Sequence, residues 1–142
     1  MNTALTTDSF DEVMALDIEP KLGDPNPVFL YDYPARHGAL ARLKPRDSLL
    51  AERFELYIAG IELCNGFSEL TDAAEQRDRF EKERHLRQSL NKPGYPMPEK
   101  FLEALADMPD AAGNALGIDR LVMLLADTDK IDEVVAFTPE EL

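Results

Sequence analysis

The clearest pattern in the chain is an alternation of hydrophobic and polar residues in its first half. Phe54, Leu56 and Ile58 would share one face of an extended strand, and the residues between them are polar. Ala59-Gly60 follows directly and has the form of a two-residue hairpin turn, in which glycine is free to take a positive φ. The alternation therefore predicts a β-hairpin over Arg53–Phe67.

Helical periods and turn residues predict the other elements. Asp72 has the position of an N-cap for the longest helix, which should run to about Leu90. Strands and helices are segregated along the chain, which indicates an α+β fold with an antiparallel sheet flanked by helices. The remaining predictions are a helix over Asp8–Leu16, a turn over Lys21–Pro27, a strand over Val28–Tyr33, loops over Arg36–Ser48 and Asn91–Met97, a helix from Pro98, extended chain over Ala111–Gly117, a helix over Ile118–Ala126 and a last strand over Ile131–Phe137.

The composition excludes several classes of function. A formal charge of −13 argues against general binding to nucleic acids or anionic membranes, which requires basic surface. The longest apolar run, Leu121–Ala126, is too short to span a bilayer, and no signal-peptide pattern is visible. The single cysteine, Cys64, excludes an internal disulfide. We therefore expect a globular protein in the cytoplasm, without a membrane partner.

Two carboxylates fall on the polar face of the predicted hairpin. Across the two-residue turn, Tyr57 would face Glu62 and Glu55 would face Cys64. Glu55 and Glu62 would then be diagonal neighbours, with their Cα atoms roughly 7–8 Å apart. Two carboxylates in this arrangement repel each other unless a cation lies between them. The pair indicates a cation site, and a solvated sheet face in an acidic protein is the alternative.

A second candidate site is the strand–helix junction GNALGIDR, residues 113–120. A helix that begins near Ile118 presents free N–H groups, which favour phosphate binding. Arg120 would add a permanently charged guanidinium that can grip a phosphate or stack on a base. The alternative is close packing with a surface ion pair, because the glycines match neither common phosphate-loop spacing.

Together, ERFELYIAGIELCNGFSELTDAAEQRDRF and GNALGIDRLVMLL resemble the C-terminal half of the class II lysyl-tRNA synthetase catalytic domain. The second stretch resembles motif 3 of that class. The resemblance covers roughly Pro27 to Phe137, including YPARHGALAR. It is strongest to the paralogues that modify elongation factor P with β-lysine. The resemblance implies the C-terminal portion of a class II aminoacyl-tRNA synthetase catalytic core over residues 27–142, after an N-terminal extension, residues 1–26, with a short helix and a turn.

The resemblance also implies which residues bind a nucleotide. Glu55 and Glu62 match the carboxylates that hold the magnesium ion of bound ATP, so the implied cofactors are ATP and Mg²⁺. Leu63 matches a backbone contact to the nucleotide. Gly117 matches the motif 3 glycine beside ATP, and Arg120 matches the catalytic arginine that grips the nucleotide.

Three further residues match the amino-acid pocket of the family. Asn65 and Glu69 match its polar groups, and Glu69 would pair with a substrate ammonium. Ala115 stands where lysyl-tRNA synthetases usually have glycine. The resemblance implies that its methyl group narrows the pocket in favour of β-lysine, and a neutral exchange between small residues is the alternative.

The implied function is ATP-dependent, AMP-forming activation of lysine or β-lysine and its transfer to a lysine of elongation factor P. The sequence departs from the family in having no recognisable motif 1 or motif 2, which build the dimer and supply an arginine for the α-phosphate. Aminoacylation of tRNA and a non-catalytic nucleotide- or partner-binding module are therefore alternatives. An unpaired sheet edge would also favour self-association as a homodimer.

Overall fold

The computed structural model describes residues 7–138, with side chains from Phe10 onward. In this part of the chain the strands form one sheet in the order β1-β3-β4-β5, and β2 pairs antiparallel with β3. Helices flank the sheet, so the predicted α+β fold is confirmed. The elements are α1 Thr7–Val13, β1 Val28–Pro34, β2 Leu43–Lys44, β3 Asp47–Ile58, β4 Ile61–Ser68, α2 Ala73–Ser89, α3 Glu99–Leu105, β5 Ala112–Leu116 and α4 Ile118–Ala126.

The predicted hairpin turn is confirmed, and both of its residues have positive φ. Ala59 has φ 51° and Gly60 has φ 75°, the combination that a type I′ turn requires. A Cβ atom at Gly60 would also lie 2.8 Å from the carbonyl oxygen of Pro20. Glycine is therefore needed here for steric as well as conformational reasons.

The long helix α2 begins where the sequence predicts. The Asp72 carboxylate accepts hydrogen bonds from the N–H groups of Ala74 and Glu75, at 2.9 and 3.0 Å. These bonds satisfy two of the N–H groups that a helix start leaves without an intrahelical partner. The predicted helix over Asp8–Leu16 also forms, as α1 followed by a π-helical turn over Met14–Ile18. The sequence also offers Asp8 as a cap of this helix, and the side chain of Asp8 lies outside the described residues.

Two sequence-based predictions are wrong. Part of the predicted loop over Arg36–Ser48 is strand, because Arg42 bonds through its backbone to both Ser68 and Glu52 and extends the pairing. The predicted last strand over Ile131–Phe137 is instead a short 3₁₀ turn, Ile131–Glu133, followed by bends. Local hydrogen bonds there, such as that from Val134 N–H to the Ile131 carbonyl, replace pairing with a sheet.

The described chain divides into two compact units. The first contains the residues up to Tyr31, Phe54–Asn65 and the residues from Asn114 onward, and the second contains Asp32–Arg53 and Gly66–Gly113. Buried side chains of the first unit are Tyr57, Leu63, Cys64 and Met123, and those of the second are Tyr33, Ala41, Ala51, Leu70, Leu102 and Leu105. Between residues 7 and 138, no helix combines the length and the apolar character that crossing a bilayer requires.

Candidate functional site

Glu55 is a buried carboxylate whose two oxygens both accept hydrogen bonds. Its side chain lies on β3 in the first unit, and the residue is only 5% exposed. Tyr57 donates its hydroxyl to Oε2 at 2.7 Å, and Asn65 donates its amide nitrogen to Oε1 at 3.0 Å. Since buried charges require such partners, these bonds explain how a carboxylate is held here. The alternative of a solvated sheet face is therefore wrong at Glu55.

Asn65 corrects the face pattern that simple alternation predicts for β4. With Glu55 opposite Cys64, Asn65 would point to the other face of the sheet, yet it contacts the Glu55 carboxylate. Leu63 and Cys64 are both buried although they are consecutive in a strand. Simple alternation therefore does not describe which side chains of β4 are buried or contact Glu55.

Glu62 and Arg120 are in contact within the first unit. Arg120 Nη1 donates to the backbone carbonyl of Glu62 at 2.7 Å and lies 3.3 Å from carboxylate Oε2. The side chains are 35% exposed for Glu62 and 48% exposed for Arg120, so a ligand can reach both of them. A surface ion pair was the alternative to phosphate binding at the strand–helix junction, residues 113–120, and the structure shows such a pair. It places an arginine of the first turn of α4 against the second predicted metal-binding carboxylate.

Gly117 caps α4 and packs against the same arginine. Its N–H group donates to the Leu63 carbonyl at 2.9 Å, which joins the helix start to β4. A Cβ atom at Gly117 would lie 3.3 Å from Cδ of Arg120. Ala115, two residues earlier on β5, is exposed. The predicted nucleotide residues Glu55, Glu62, Leu63, Gly117 and Arg120 therefore share one unit with Asn65 and Ala115.

The donor atoms for a metal ion in this unit are few. Among residues 7–138, no cluster of three or more His, Cys, Asp and Glu side chains could hold a metal ion. A magnesium ion at Glu55 and Glu62 would take its other oxygen ligands from phosphates and water, which is how Mg²⁺ is commonly bound. Carboxylate oxygens are the ligands that Mg²⁺ prefers, and the thiol of buried Cys64 is not such a ligand.

Glu69, the predicted reader of a substrate ammonium, belongs to the second unit. It is half-buried at the end of β4, where its N–H group donates to the Ala111 carbonyl at 2.9 Å and its backbone forms a β-bridge with Ala41. A Cβ atom at Gly113 would lie only 2.6 Å from Glu69 Oε1. Sequence reasoning did not single out Gly113 as a neighbour of Glu69. Its only sequence signal was a glycine at the start of GNALG.

Sequence reasoning also missed the structural role of the basic residues of α2. Arg79 donates through Nη1 to the carbonyls of Ala39 and Ala41, at 2.9 and 2.8 Å. Arg77 forms an exposed ion pair with Glu99, which lowers the pKa of Glu99 and raises that of Arg77. Arg79 therefore joins α2 to the segment around Ala39 and Ala41, a role that no local pattern in the sequence indicates.

A search of protein families matches residues 1–141 to the model described as tRNA synthetases class II (D, K and N). Curated proteins named elongation factor P–(R)-β-lysine ligase are also similar. The protein from Edwardsiella ictaluri (strain 93-146) is 47% identical over 127 residues, which cover 89% of this chain and 39% of that protein.

Two further ligases of the same name show similar values. The Haemophilus influenzae protein (strain PittGG) is 50% identical over 121 residues, covering 84% of this chain and 38% of the relative. The Klebsiella pneumoniae protein (strain 342) is 46% identical over 142 residues, covering 96% and 44%. The chain therefore spans about two fifths of the length of the curated relatives that it matches.

Proposed function

Because the chain belongs to the class II tRNA synthetases (D, K and N), we propose that its first unit is the nucleotide-binding part of an ATP-dependent, AMP-forming ligase. The observation that carries this proposal is the contact between Arg120 and Glu62 at the start of α4, with Gly117 packed beside the arginine. A guanidinium beside a helix start is suited to phosphate. Arg120 would grip the nucleotide, and its bond to the Glu62 carbonyl fixes its direction beforehand.

The proposed magnesium ligands are Glu55 and Glu62. Glu55 is held by Tyr57 and Asn65, so its position does not depend on a metal ion. When bound, Mg²⁺ would supply positive charge that offsets the negative charge of the phosphates. Leu63 would contact the nucleotide through its backbone, because its carbonyl accepts one bond from Gly117 and has a second lone pair.

Lysine or β-lysine is the proposed amino-acid substrate. Glu69 would bind the side-chain ammonium through a charge-assisted hydrogen bond. Asn65 would add a polar contact to the amino acid, and Ala115 would narrow the pocket in favour of β-lysine. All three roles rest on the family's pattern at these positions, and the half-burial of Glu69 supports the first of them.

Elongation factor P is the proposed acceptor of the activated amino acid. The support is the name of the similar curated proteins, elongation factor P–(R)-β-lysine ligase. Aminoacylation of tRNA is the second candidate, and the family to which the chain belongs favours it. A non-catalytic nucleotide-binding module is the third, because the chain spans only part of those relatives. The division at residue 27, the homodimer and the cytoplasmic location stay predictions.

An ATP–pyrophosphate exchange assay tests the proposed activity. We expect exchange that depends on lysine or β-lysine and is lost in Arg120→Ala. Transfer of labelled amino acid to elongation factor P, and not to tRNA, would support the first acceptor, and the reverse result would support the second. ATP binding without exchange would support the non-catalytic module and contradict the ligase proposal for this chain.

A further inference from the structure

Gly113 lies against one side chain of the second unit, the carboxylate of Glu69. If Gly113 carried a Cβ atom, that atom would meet Glu69 Oε1 at 2.6 Å and Cδ at 3.8 Å, and these are its only close neighbours among the described residues. Gly113 does not have the positive φ found at Gly23 and Gly60. The backbone conformation therefore does not require glycine at this position. Glycine is required because the Glu69 carboxylate takes the space that a Cβ atom would occupy.

The backbone of Glu69 is fixed on both sides, so only its side chain can yield. Its N–H group donates to the Ala111 carbonyl at 2.9 Å, and it forms a β-bridge with Ala41. The next residue, Leu70, donates to the Leu40 carbonyl at 2.9 Å. A methyl group at residue 113 would therefore push the carboxylate aside by about 0.8 Å, to reach ordinary contact at 3.4 Å, while the backbone stays in place.

We propose that Gly113 is a positioning residue, which sets the place of the Glu69 carboxylate against the ammonium group of a lysine-like amino acid. This inference rests on the proposed role of Glu69 in the ligase. The ligand class is a primary ammonium at the end of an aliphatic chain, because a carboxylate recognises such a group through short charge-assisted bonds. Since these bonds depend strongly on distance, a small displacement of the acceptor weakens them.

Calorimetric titration of lysine and of β-lysine into three forms of the protein tests the inference. The forms are the unaltered chain, Gly113→Ala and Gly94→Ala. Gly94 is the matched control, because a Cβ atom there meets nothing within 4 Å. A misplacement of about 1 Å can lower the rate of an enzyme reaction by up to about 100-fold, and we expect binding to be sensitive to position as well. We expect Gly113→Ala to weaken the affinity for the amino acid by about 10-fold or more, and Gly94→Ala to leave it unchanged.

Two further measurements separate a positioning role from a general loss of structure. The affinity for Mg²⁺-ATP and the melting temperature of Gly113→Ala should equal those of the unaltered chain, because the methyl group meets only the end of a flexible side chain. In Glu69→Ala, which lacks the carboxylate, adding Gly113→Ala should have no further effect on amino-acid binding. Equal affinity of Gly113→Ala and the unaltered chain for both amino acids would overturn the inference.

Nuclear magnetic resonance gives a readout that does not depend on binding. The ¹³Cδ resonance of Glu69 should shift in Gly113→Ala and not in Gly94→Ala, and an unshifted resonance would contradict the packing of Glu69 on Gly113. If the unaltered chain binds Mg²⁺-ATP but neither amino acid, the ammonium-binding role of Glu69 fails and the positioning role of Gly113 fails with it. Absence of Mg²⁺-ATP binding would instead be a failure of the proposed nucleotide site.

Discussion

Arg120 contacts Glu62 through a single nitrogen, which donates to the backbone carbonyl at 2.7 Å and lies 3.3 Å from the carboxylate. For the other guanidinium nitrogens, Nε and Nη2, the structure shows no protein partner among residues 7–138. A planar guanidinium with unused donors and a fixed direction is suited to bidentate recognition of phosphate. The site thus combines an anchored cation with a carboxylate whose second oxygen, Oε1, has no hydrogen-bond partner among the described residues.

Gly117→Ala should weaken Mg²⁺-ATP binding without affecting lysine binding. The new methyl group would lie 3.3 Å from Cδ and 3.5 Å from Cβ of Arg120, which is tight enough to displace the arginine by a few tenths of an ångström. We expect an affinity for Mg²⁺-ATP about 3- to 10-fold lower by calorimetry, in keeping with a displacement smaller than 1 Å. Gly94→Ala is again the matched control, and an equal effect of both variants would contradict the role of Gly117.

Arg79→Ala should destabilise the second unit. The variant leaves the carbonyls of Ala39 and Ala41 without their donor, and the Ala41 residue is fully buried. We expect a free energy of unfolding about 1–3 kcal/mol lower in urea titrations, because the carbonyl of buried Ala41 would lose its donor, whereas water can replace the donor at exposed Ala39. Lys82→Ala on the same helix removes an exposed ion pair with Asp78 and should cost less than about 0.5 kcal/mol. Similar losses of stability in both variants would contradict the stabilising role of the hydrogen bonds from Arg79.

Glu52→Gln should change how stability depends on pH. Burial raises the pKa of Glu52, but hydrogen bonds from Ser68 and Arg42 outweigh it, so the net pKa lies below the ordinary value of 4.5. A lowered folded-state pKa gives stability that is present above the unfolded-state pKa and is lost as the pH falls through the folded-state pKa. The unaltered chain should therefore be more stable than the variant at pH 7, and the two free energies of unfolding should converge below pH 4.5.

The control for this pH series is Glu103→Gln, at an exposed position on α3. Its free energy of unfolding at pH 7 should equal that of the unaltered chain within about 0.5 kcal/mol. Parallel curves for Glu52→Gln and the unaltered chain, without convergence in acid, would show that the hydrogen bonds of Glu52 do not favour its charged form.

Gln76→Met should stabilise the protein. Gln76 is 1% exposed, and neither its amide oxygen nor its amide nitrogen has a hydrogen-bond partner among the described residues. An unbranched apolar side chain of similar size removes this desolvation cost, and we expect a gain of about 1 kcal/mol in the free energy of unfolding. Gln88→Met, at an exposed position of α2, should change stability by less than about 0.5 kcal/mol. A loss of stability in Gln76→Met would show that the amide is hydrogen-bonded in solution.

Local signals in the sequence predicted the elements that depend on them. The N-cap Asp72, the turn at Ala59-Gly60 and the periodic run Ile118–Ala126 are each specified by residues within a few positions, and all three are confirmed. The start of β3 was predicted too late because residues 47–51 pair with β2, a two-residue strand within the segment that was predicted to be a loop. The segment 131–137 has β-branched residues that suit a strand but forms local turns instead.

In the candidate site, too, local sequence signals predicted some features and could not predict others. The order of the two motifs in the sequence identified the family. In the structure Arg120 contacts both Glu62 and Gly117, and all three residues belong to the first unit. The bonds from Tyr57 and Asn65 to Glu55 were not predicted, because strict alternation puts Asn65 on the other face of β4. The packing of Glu69 on Gly113 depends on residues 44 positions apart, and no local pattern reveals such a contact.

Calorimetric titration of Mg²⁺-ATP into the unaltered chain, Glu62→Gln and Arg120→Ala tests whether Glu62 and Arg120 form a nucleotide site. Lys100→Ala, at an exposed position on α3, is the control for loss of a positive charge. We expect binding by the unaltered chain and by Lys100→Ala, and affinities at least about 10-fold lower in the other two variants, since charge-assisted contacts are removed. Unchanged binding in both Glu62→Gln and Arg120→Ala would contradict the assignment of a nucleotide site to this surface.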